Sequence, residues 1–228
     1  MKKLLLAALF VAATSVTFGA SCAVSNDAYT DYNSATSCSI GALTFSNFSW
    51  IGSGSGGIVT DHSAGGILAG ITLTPIATPG MEGFSLGLSN VNVGANQSAD
   101  VALSYKVTSP TPVFGYALSG IAGGTAGTGQ IIITDSFSAA NGITPISNNI
   151  SYFSNPQTTT ITNDPTTFFN PQTSFIVNKD INASANGSTG SAHVSSLTQA
   201  NAVPEPMTLS LLGVGLLGLG LFGRRAKK

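Results

Sequence analysis

The sequence predicts an all-β protein built as a single antiparallel β-sandwich, jelly-roll-like or immunoglobulin-like. Short runs of β-branched and aromatic residues alternate with turn residues along its middle part, as they do in strands. No long apolar pattern with the 3.6-residue period of an amphipathic helix runs through that part. The two ends differ, because their uninterrupted apolar runs predict an N-terminal signal helix and a C-terminal single transmembrane helix.

Eight candidate strands follow from these runs. The clearest is Ala99 to Thr108, in which Val101, Leu103, Tyr105 and Val107 alternate with other residues as in a half-buried strand. The glycine-rich stretch 120–129 is predicted as a loop. The other candidate strands are Leu43 to Trp50, Ile67 to Pro75, Gly83 to Leu88, Val113 to Leu118, Gln130 to Ser136, Ser174 to Ala183 and Ser191 to Leu197.

Charged residues are scarce, at 7% of the chain against roughly 25% in an average soluble domain. The formal net charge of −1 hides an uneven distribution, since two cations and eight acids between residues 21 and 203 give −6. This acidic body excludes charge-driven nucleic-acid binding, which needs a basic patch to displace counterions. The scarcity of Glu, Lys and Arg excludes a coiled coil, and the 43% of hydrophobic residues excludes highly charged disorder.

Residues 1–20 carry the features of a secretory signal peptide. Two lysines precede an apolar run from Leu4 to Ala13, and small residues follow it. A basic start, a short apolar run and small residues near the cleavage point are typical of an export signal. Cleavage after Ala20 would retain Cys22 and cleavage after Ala23 would remove it, so the cleavage site stays open.

Residues 203–228 combine three features in a fixed order. Pro204-Glu205-Pro206 comes first, and its prolines lack backbone donors, so it cannot continue a helix or enter a sheet interior. The uncharged segment from Met207 to Phe222 would span roughly 24 Å as a helix, short of the ~30 Å hydrocarbon core. Arg224 and Arg225 follow, and positive charge after an apolar segment holds that side in the cytoplasm as a stop-transfer signal.

This tail resembles the PEP-CTERM sorting signal of Gram-negative, biofilm-forming bacteria, and the resemblance covers about residues 203 to 228. The signal peptide of residues 1–20 predicts export by the secretion machinery and cleavage by signal peptidase. The tail resemblance implies that an exosortase-type membrane transpeptidase then recognises Pro204, Glu205 and Pro206. It also implies a transient inner-membrane anchor with the body outside, followed by the cell surface or extracellular matrix. The same tail is also called an ice-binding protein C-terminal domain.

The body, predicted as one secreted domain over residues 21–202, resembles a recurrent type of PEP-CTERM protein as well. That type has no established biochemical activity, so the resemblance implies a secreted β-domain and supplies no catalytic residues. The matching stretches are Cys38 to Trp50, Thr72 to Gly80, Val177 to Ile181 and Gly190 to Ser196.

Cys22 and Cys38 are the only cysteines. Export favours oxidation, and a disulfide between them would stabilise the fold by about 3 kcal/mol in the chain-entropy model. The alternative is that Cys22 leaves with the signal peptide and Cys38 is a free thiol. We favour the disulfide, which requires cleavage before Cys22.

The body offers little that indicates catalysis, and we predict no enzyme activity, no cofactor and no metal. His62 follows Asp61 and His193 lies in a predicted strand, but neither has a third ligand or a nucleophile motif beside it. A calcium site in a loop, for instance at Asp27 and Asp31, stays open. The eight acids could include a glycosidase pair, although the sequence identifies none.

We therefore predict a noncatalytic exported surface or extracellular-matrix protein with a structural or adhesive role in biofilm or exopolysaccharide. Its hydroxyl- and amide-rich surface suits contact with extracellular polysaccharide. The alternative is a carbohydrate- or ice-binding module, and a secreted glycoside hydrolase comes third. Aromatic platforms such as Trp50 would favour sugar, whereas ice would need flat Thr arrays, and the Thr runs of this chain do not repeat at a fixed period.

Overall fold

A computed structural model describes residues 20–78, 80–140, 150–155, 159–162 and 166–203. Within these ranges the chain is nearly all strand, with one single-turn helix, and every pairing between strands is antiparallel. The elements are α1 (Ala28–Asp31), β1 (Ser37–Ile40), β2 (Leu43–Ser55), β3 (Ile71–Thr78), β4 (Met81–Leu88), β5 (Asn92–Val93), β6 (Gln97–Ala126), β7 (Gly129–Ala139), β8 (Ile150–Ser154), β9 (Thr159–Thr162), β10 (Thr166–Ala185) and β11 (Ser191–Ala202).

The strands form one hydrogen-bonded path in the order β3-β4-β11-β6-β10-β7-β8-β9. Three more strands join at its side, since β2 pairs with β6, β1 with β2, and β5 with β11. The long strand β6 joins two groups: its first half pairs with β2 and β10, and its second half, from Gly115 to Ala126, pairs with β11. The result is a barrel- or sandwich-like body around one core, and the prediction of an all-β antiparallel fold is confirmed.

Aromatic rings fill the centre of this core. Phe45 and Phe84 meet edge to face with ring centroids 5.0 Å apart, and Phe48 stacks on Tyr105 at 5.8 Å. All four side chains are buried. Such pairs add about 0.5–1.5 kcal/mol each beyond the area they bury, so the aromatic residues of the predicted strands serve mainly to hold the strands together.

A bulge in β2 decides which of its side chains reach that core. Asn47 has a φ of +56°, and the register between β2 and β6 shifts beside it. Asn is among the few residues that adopt this left-handed conformation readily. The extra residue reverses the alternation, so that Phe45 before the bulge and Phe48 and Trp50 after it all pack against the core.

The N-terminal segment of the described body is tied to β1 and β3. Cys22 and Cys38 form a disulfide with an S–S distance of 2.05 Å, and the Cys22 N–H donates to the Ser39 carbonyl at 2.9 Å. Ser25 and Leu73 exchange two backbone hydrogen bonds of 2.8 and 2.9 Å. The segment therefore completes the edge of the fold through both covalent and hydrogen-bonded contacts.

The prediction of a loop over residues 120–129 was wrong. Strand β6 continues to Ala126, and only Gly127 and Thr128 turn the chain before β7 begins. The glycines serve close strand pairing here, because a Cβ on Gly123 would collide with the carbonyl oxygen of His193 on β11.

The predicted signal peptide and sorting tail lie outside the described residues, apart from Ala20 and Val203. The same holds for Pro204, Glu205, Pro206, Arg224 and Arg225, whose predicted roles stay predictions. In the ranges that the structure covers, no helix is long and apolar enough to cross a membrane. Val203 is buried, and its N–H donates to the Gly80 carbonyl at 3.0 Å.

Replacing both cysteines by serine should lower the free energy of unfolding by about 3 kcal/mol, because the unfolded chain regains the entropy of the open loop. Denaturant unfolding of the exported protein measures this loss. Reduction of the unmutated protein should cause the same loss and controls for the substitutions. An unchanged unfolding midpoint in both experiments would contradict the expected role of the disulfide.

Candidate functional site

The outward side of four neighbouring strands, β2, β6, β10 and β7, carries mainly polar side chains. Successive side chains of a strand point to opposite faces, so the residues between those that form the core lie together on this side. The strand registers align them in three rows. We call this surface the polar sheet face: Ser49–Ser104–Asn178–Ser136, Ile51–Ala102–Asp180–Thr134 and Ser53–Asp100–Asn182–Ile132.

An open groove of about 460 Å³ lies on the polar sheet face. Its lining comprises the first two rows together with Asp100, Leu103 and Lys179, and the last two bury their side chains in the core. Ala102 lies opposite Asp180 in the second of these rows. The groove is thus bounded by hydroxyl, amide and carboxyl groups on a sheet whose other face packs in the core.

Two carboxyl groups, those of Asp100 and Asp180, lie near each other in the groove and interact. Asp180 lies opposite Ala102 in the register, which makes it the diagonal neighbour of Asp100. Desolvation and the neighbouring carboxyl group of Asp180 together raise the pKa of Asp100 to about 7. Near neutral pH this acid pair therefore holds a proton that isolated aspartates would have lost.

Hydrogen bonds within the face orient its other polar groups. The Ser104 hydroxyl donates to the Asn178 side-chain oxygen at 2.9 Å, and the Ser53 hydroxyl donates to Asp100 at 3.4 Å. Hydroxyls, amides and a half-protonated acid pair can each donate or accept. The face therefore offers both kinds of hydrogen-bonding partner along one rigid surface.

A second depression, of about 330 Å³, lies beside α1 and has an aromatic lining that includes Tyr29, Phe48 and Trp50. Tyr29 stacks on His62 with ring centroids 4.7 Å apart. Trp50 is half-buried, and its indole N–H donates to the Tyr32 carbonyl at 2.7 Å. Most of the Trp50 side chain thus packs against the core, and Tyr29 is the more accessible ring.

In the structure His62 pairs with Asp27 and not with Asp61, its neighbour in the sequence. His62 Nε2 lies 2.7 Å from a carboxyl oxygen of Asp27, whereas Asp61 accepts hydrogen bonds from Ser63. Desolvation would raise the pKa of Asp27, but its hydrogen bonds to His62 and Thr30 outweigh this effect, and the pKa is lowered. His62 and Asp61, although adjacent in the sequence, therefore form hydrogen bonds with different partners.

The remaining candidate residues have separate local roles. His193 is exposed on β11, as the sequence predicted for a strand residue. Asp27 caps α1, while Asp31 accepts a hydrogen bond from the Ser25 hydroxyl at 2.7 Å, so each carboxylate serves the local fold. Among the residues that the structure describes, no three His, Cys, Asp or Glu side chains converge as metal ligands.

Sequence reasoning missed the acid pair because its members lie on different strands with no motif around either. Asp100 and Asp180 were visible only as polar residues at outward positions of two predicted strands. Their proximity depends on the pairing of β6 with β10, and a strand pattern does not reveal its partner.

No protein-family model matches this chain, and no curated protein was found to be similar to it. Among solved structures, the chain is similar to TmCBM61 in complex with β-1,4-galactotriose, with 12% sequence identity and a TM-score of 0.31. That similarity covers 76% of this chain and 93% of TmCBM61. At this TM-score the similarity defines neither the fold nor the ligand of this chain.

The raised pKa of Asp100 predicts that stability falls with pH. The folded state holds this proton up to about pH 7, whereas the unfolded chain loses it near the ordinary value of 3.8, so folding is penalised progressively between these values. Asp100→Asn should match the unmutated protein at pH 4 and exceed its stability at pH 8. The expected gain is on the order of 1 kcal/mol, because solvent screens this partly exposed group.

Urea unfolding at pH 4, 6 and 8 measures the difference between the two proteins. Asp61→Asn is a suitable control, since hydrogen bonds from Ser63 lower the pKa of that exposed carboxyl instead. A stability difference between Asp100→Asn and the unmutated protein that stays constant with pH would contradict the shared proton.

Proposed function

We propose that this chain is a noncatalytic exported protein of the cell surface or extracellular matrix whose polar sheet face binds polysaccharide. The observation that carries the proposal is the open groove, in which the acid pair stands among aligned Ser, Thr and Asn side chains. Sugar hydroxyls donate and accept hydrogen bonds, and this surface does both. The role is structural or adhesive, in biofilm or exopolysaccharide.

We assign the acid pair a role in binding and not in hydrolysis. Glycosidases hold their two carboxyl groups about 5 to 10 Å apart, which leaves room for the scissile bond or a water molecule. Asp100 and Asp180 are diagonal neighbours on adjacent strands, and their carboxyl groups interact directly. Such a pair suits the recognition of neighbouring sugar hydroxyls, and we assign it no catalytic role.

Ice binding receives less support from the same surface. An ice-binding face would need a flat, regular array of threonines, and the three rows of the polar sheet face contain only Thr134. Ser, Asn and Asp side chains of different lengths make up most of the rest. We therefore propose sugar, and not ice, as the ligand of this face.

Export and sorting form the second half of the proposal. The resemblance of residues 203–228 to the PEP-CTERM signal supports recognition of Pro204, Glu205 and Pro206 by an exosortase-type membrane transpeptidase. The body would cross the inner membrane through the secretion machinery, with Arg224 and Arg225 retained on the cytoplasmic side.

We also propose that the antiparallel fold is a jelly-roll-like or immunoglobulin-like sandwich.

Removing the polar groups of the groove should weaken polysaccharide binding. We expect Asn178→Ala combined with Asp180→Ala to lower affinity at least tenfold, because a lost hydrogen bond costs about 0.5–1.5 kcal/mol at the neutral Asn178 and about 1.5–3 kcal/mol at a charged Asp180. Affinity electrophoresis in gels containing a panel of neutral and acidic soluble polysaccharides measures the change.

Tyr29→Ala is the matched control, since it alters the aromatic depression and leaves the groove intact. The groove proposal would be overturned if Tyr29→Ala abolished retardation by the polysaccharide while the double variant bound normally. Absence of binding to every polysaccharide in the panel would count against the whole binding function.

Sorting predicts a change in mass and location that depends on the proline motif. In a strain with exosortase activity, the exported protein should lose its C-terminal segment and reach the outer surface or the medium. Replacing Glu205 by Ala should leave the tail attached and the protein in the membrane fraction. Intact-mass spectrometry of fractionated cells measures both, and a protein that stays wholly in the cytoplasm would exclude export.

A further inference from the structure

Lys179 and Asp135 form an ion pair inside the apolar core. The Lys179 Nζ lies 2.6 and 2.7 Å from the two carboxyl oxygens of Asp135, and neither side chain has any exposed surface. The two residues are direct cross-strand partners on β10 and β7, so the sheet itself holds them together. Apolar side chains occupy the next inward positions along both strands: Ile133, Phe137, Val177 and Ile181.

The surroundings of the pair contain no competing charge. Among the side chains that the structure describes, no other buried residue carries a charge. Tyr116 places its ring 6.0 Å from the Lys179 Nζ, but its hydroxyl donates to Gln199 at 2.7 Å. Gln199 in turn donates to the Tyr105 hydroxyl at 2.8 Å. The ammonium and the carboxylate thus face each other in a site that excludes solvent.

We propose that Lys179 and Asp135 condense to an intramolecular isopeptide bond that joins β10 to β7. This would be a covalent modification of the core, and it is independent of the proposed binding function. The reaction needs no cofactor and no second substrate, because both reacting groups belong to the pair.

The step balances within the pair. The Lys179 ammonium returns one proton to the Asp135 carboxylate, which gives an amine and a carboxylic acid. The Nζ electron pair then forms a bond to the Asp135 Cγ, a Cγ–O bond breaks, and the leaving hydroxyl takes a proton from the nitrogen and departs as water. Two charges become one neutral amide, and nothing is oxidised or reduced.

Three features of the site favour this condensation. Fixed groups in contact react with effective molarities of about 10⁵–10⁸ M in well-oriented cases. Burial raises the pKa of the Asp135 carboxyl and lowers the pKa of the Lys179 ammonium, which favours the neutral acid and amine that must react. A neutral amide also avoids the desolvation cost of two buried charges, and the exclusion of water opposes hydrolysis of the product.

Mass spectrometry of the full chain, reduced and denatured, tests the proposal. The unmutated protein should be lighter than its sequence requires by the mass of one water. The masses of the unmutated protein and Lys179→Met should therefore differ by the mass change of the substitution plus the mass of one water. Both proteins undergo the same processing of their chain ends, so that processing does not affect the difference. Lys106→Met is the matched control, because it removes the other lysine of the body. Its mass should still be lower than its sequence requires by the mass of one water.

Proteolysis of the unmutated protein gives a second measurement that does not depend on any variant folding. A branched peptide that joins the Lys179 segment to the Asp135 segment is expected to survive reduction and denaturation. Recovery of both segments only as separate linear peptides would overturn the proposal and leave an ion pair. The same conclusion follows if the unmutated protein and Lys179→Met differ by the substitution alone.

Discussion

The register between β10 and β7 is the constraint on which the polar sheet face depends, and the contact between Lys179 and Asp135 fixes it. Neighbouring residues of β10 point to opposite faces, so Lys179 enters the core while Asn178 and Asp180 reach the groove. A slip by one residue would exchange these faces and leave Asp135 buried without a partner. An unpaired buried charge costs about 3 to 5 kcal/mol. The core contact therefore determines the arrangement of the groove.

Strand β6 connects the polar sheet face to the rest of the body. Its first half brings Asp100 beside β10, and its second half supports β11 and the strands beyond it. Tyr105 and Tyr116 stand on the two halves, and their hydroxyls lie 3.3 Å apart with Gln199 of β11 bonded to both. This buried network links the two groups of strands where apolar packing alone would specify no unique alignment.

The sequence allowed the fold class to be predicted, but the pairing partners could not be. The alternation of Val101, Leu103, Tyr105 and Val107 identified the first third of β6, because one buried face is enough to impose a period of two. The same rule concealed Lys179, since a single charge at an inward position looks like an error in the pattern until Asp135 is found opposite it. The glycines between 120 and 129 indicated a loop for a related reason: missing side chains permit turns and close strand approach alike.

The end of the described body bears on the proposed processing. The ladder between β11 and β4 finishes at the pair Ala202 and Met81, and Val203 closes it through its hydrogen bond to Gly80. Pro204 follows at once, and a proline nitrogen has no hydrogen to donate to a neighbouring strand. A cut within the proline motif would therefore separate the tail from the body without breaking this ladder. The position of the motif is thus compatible with the proposed removal of the tail.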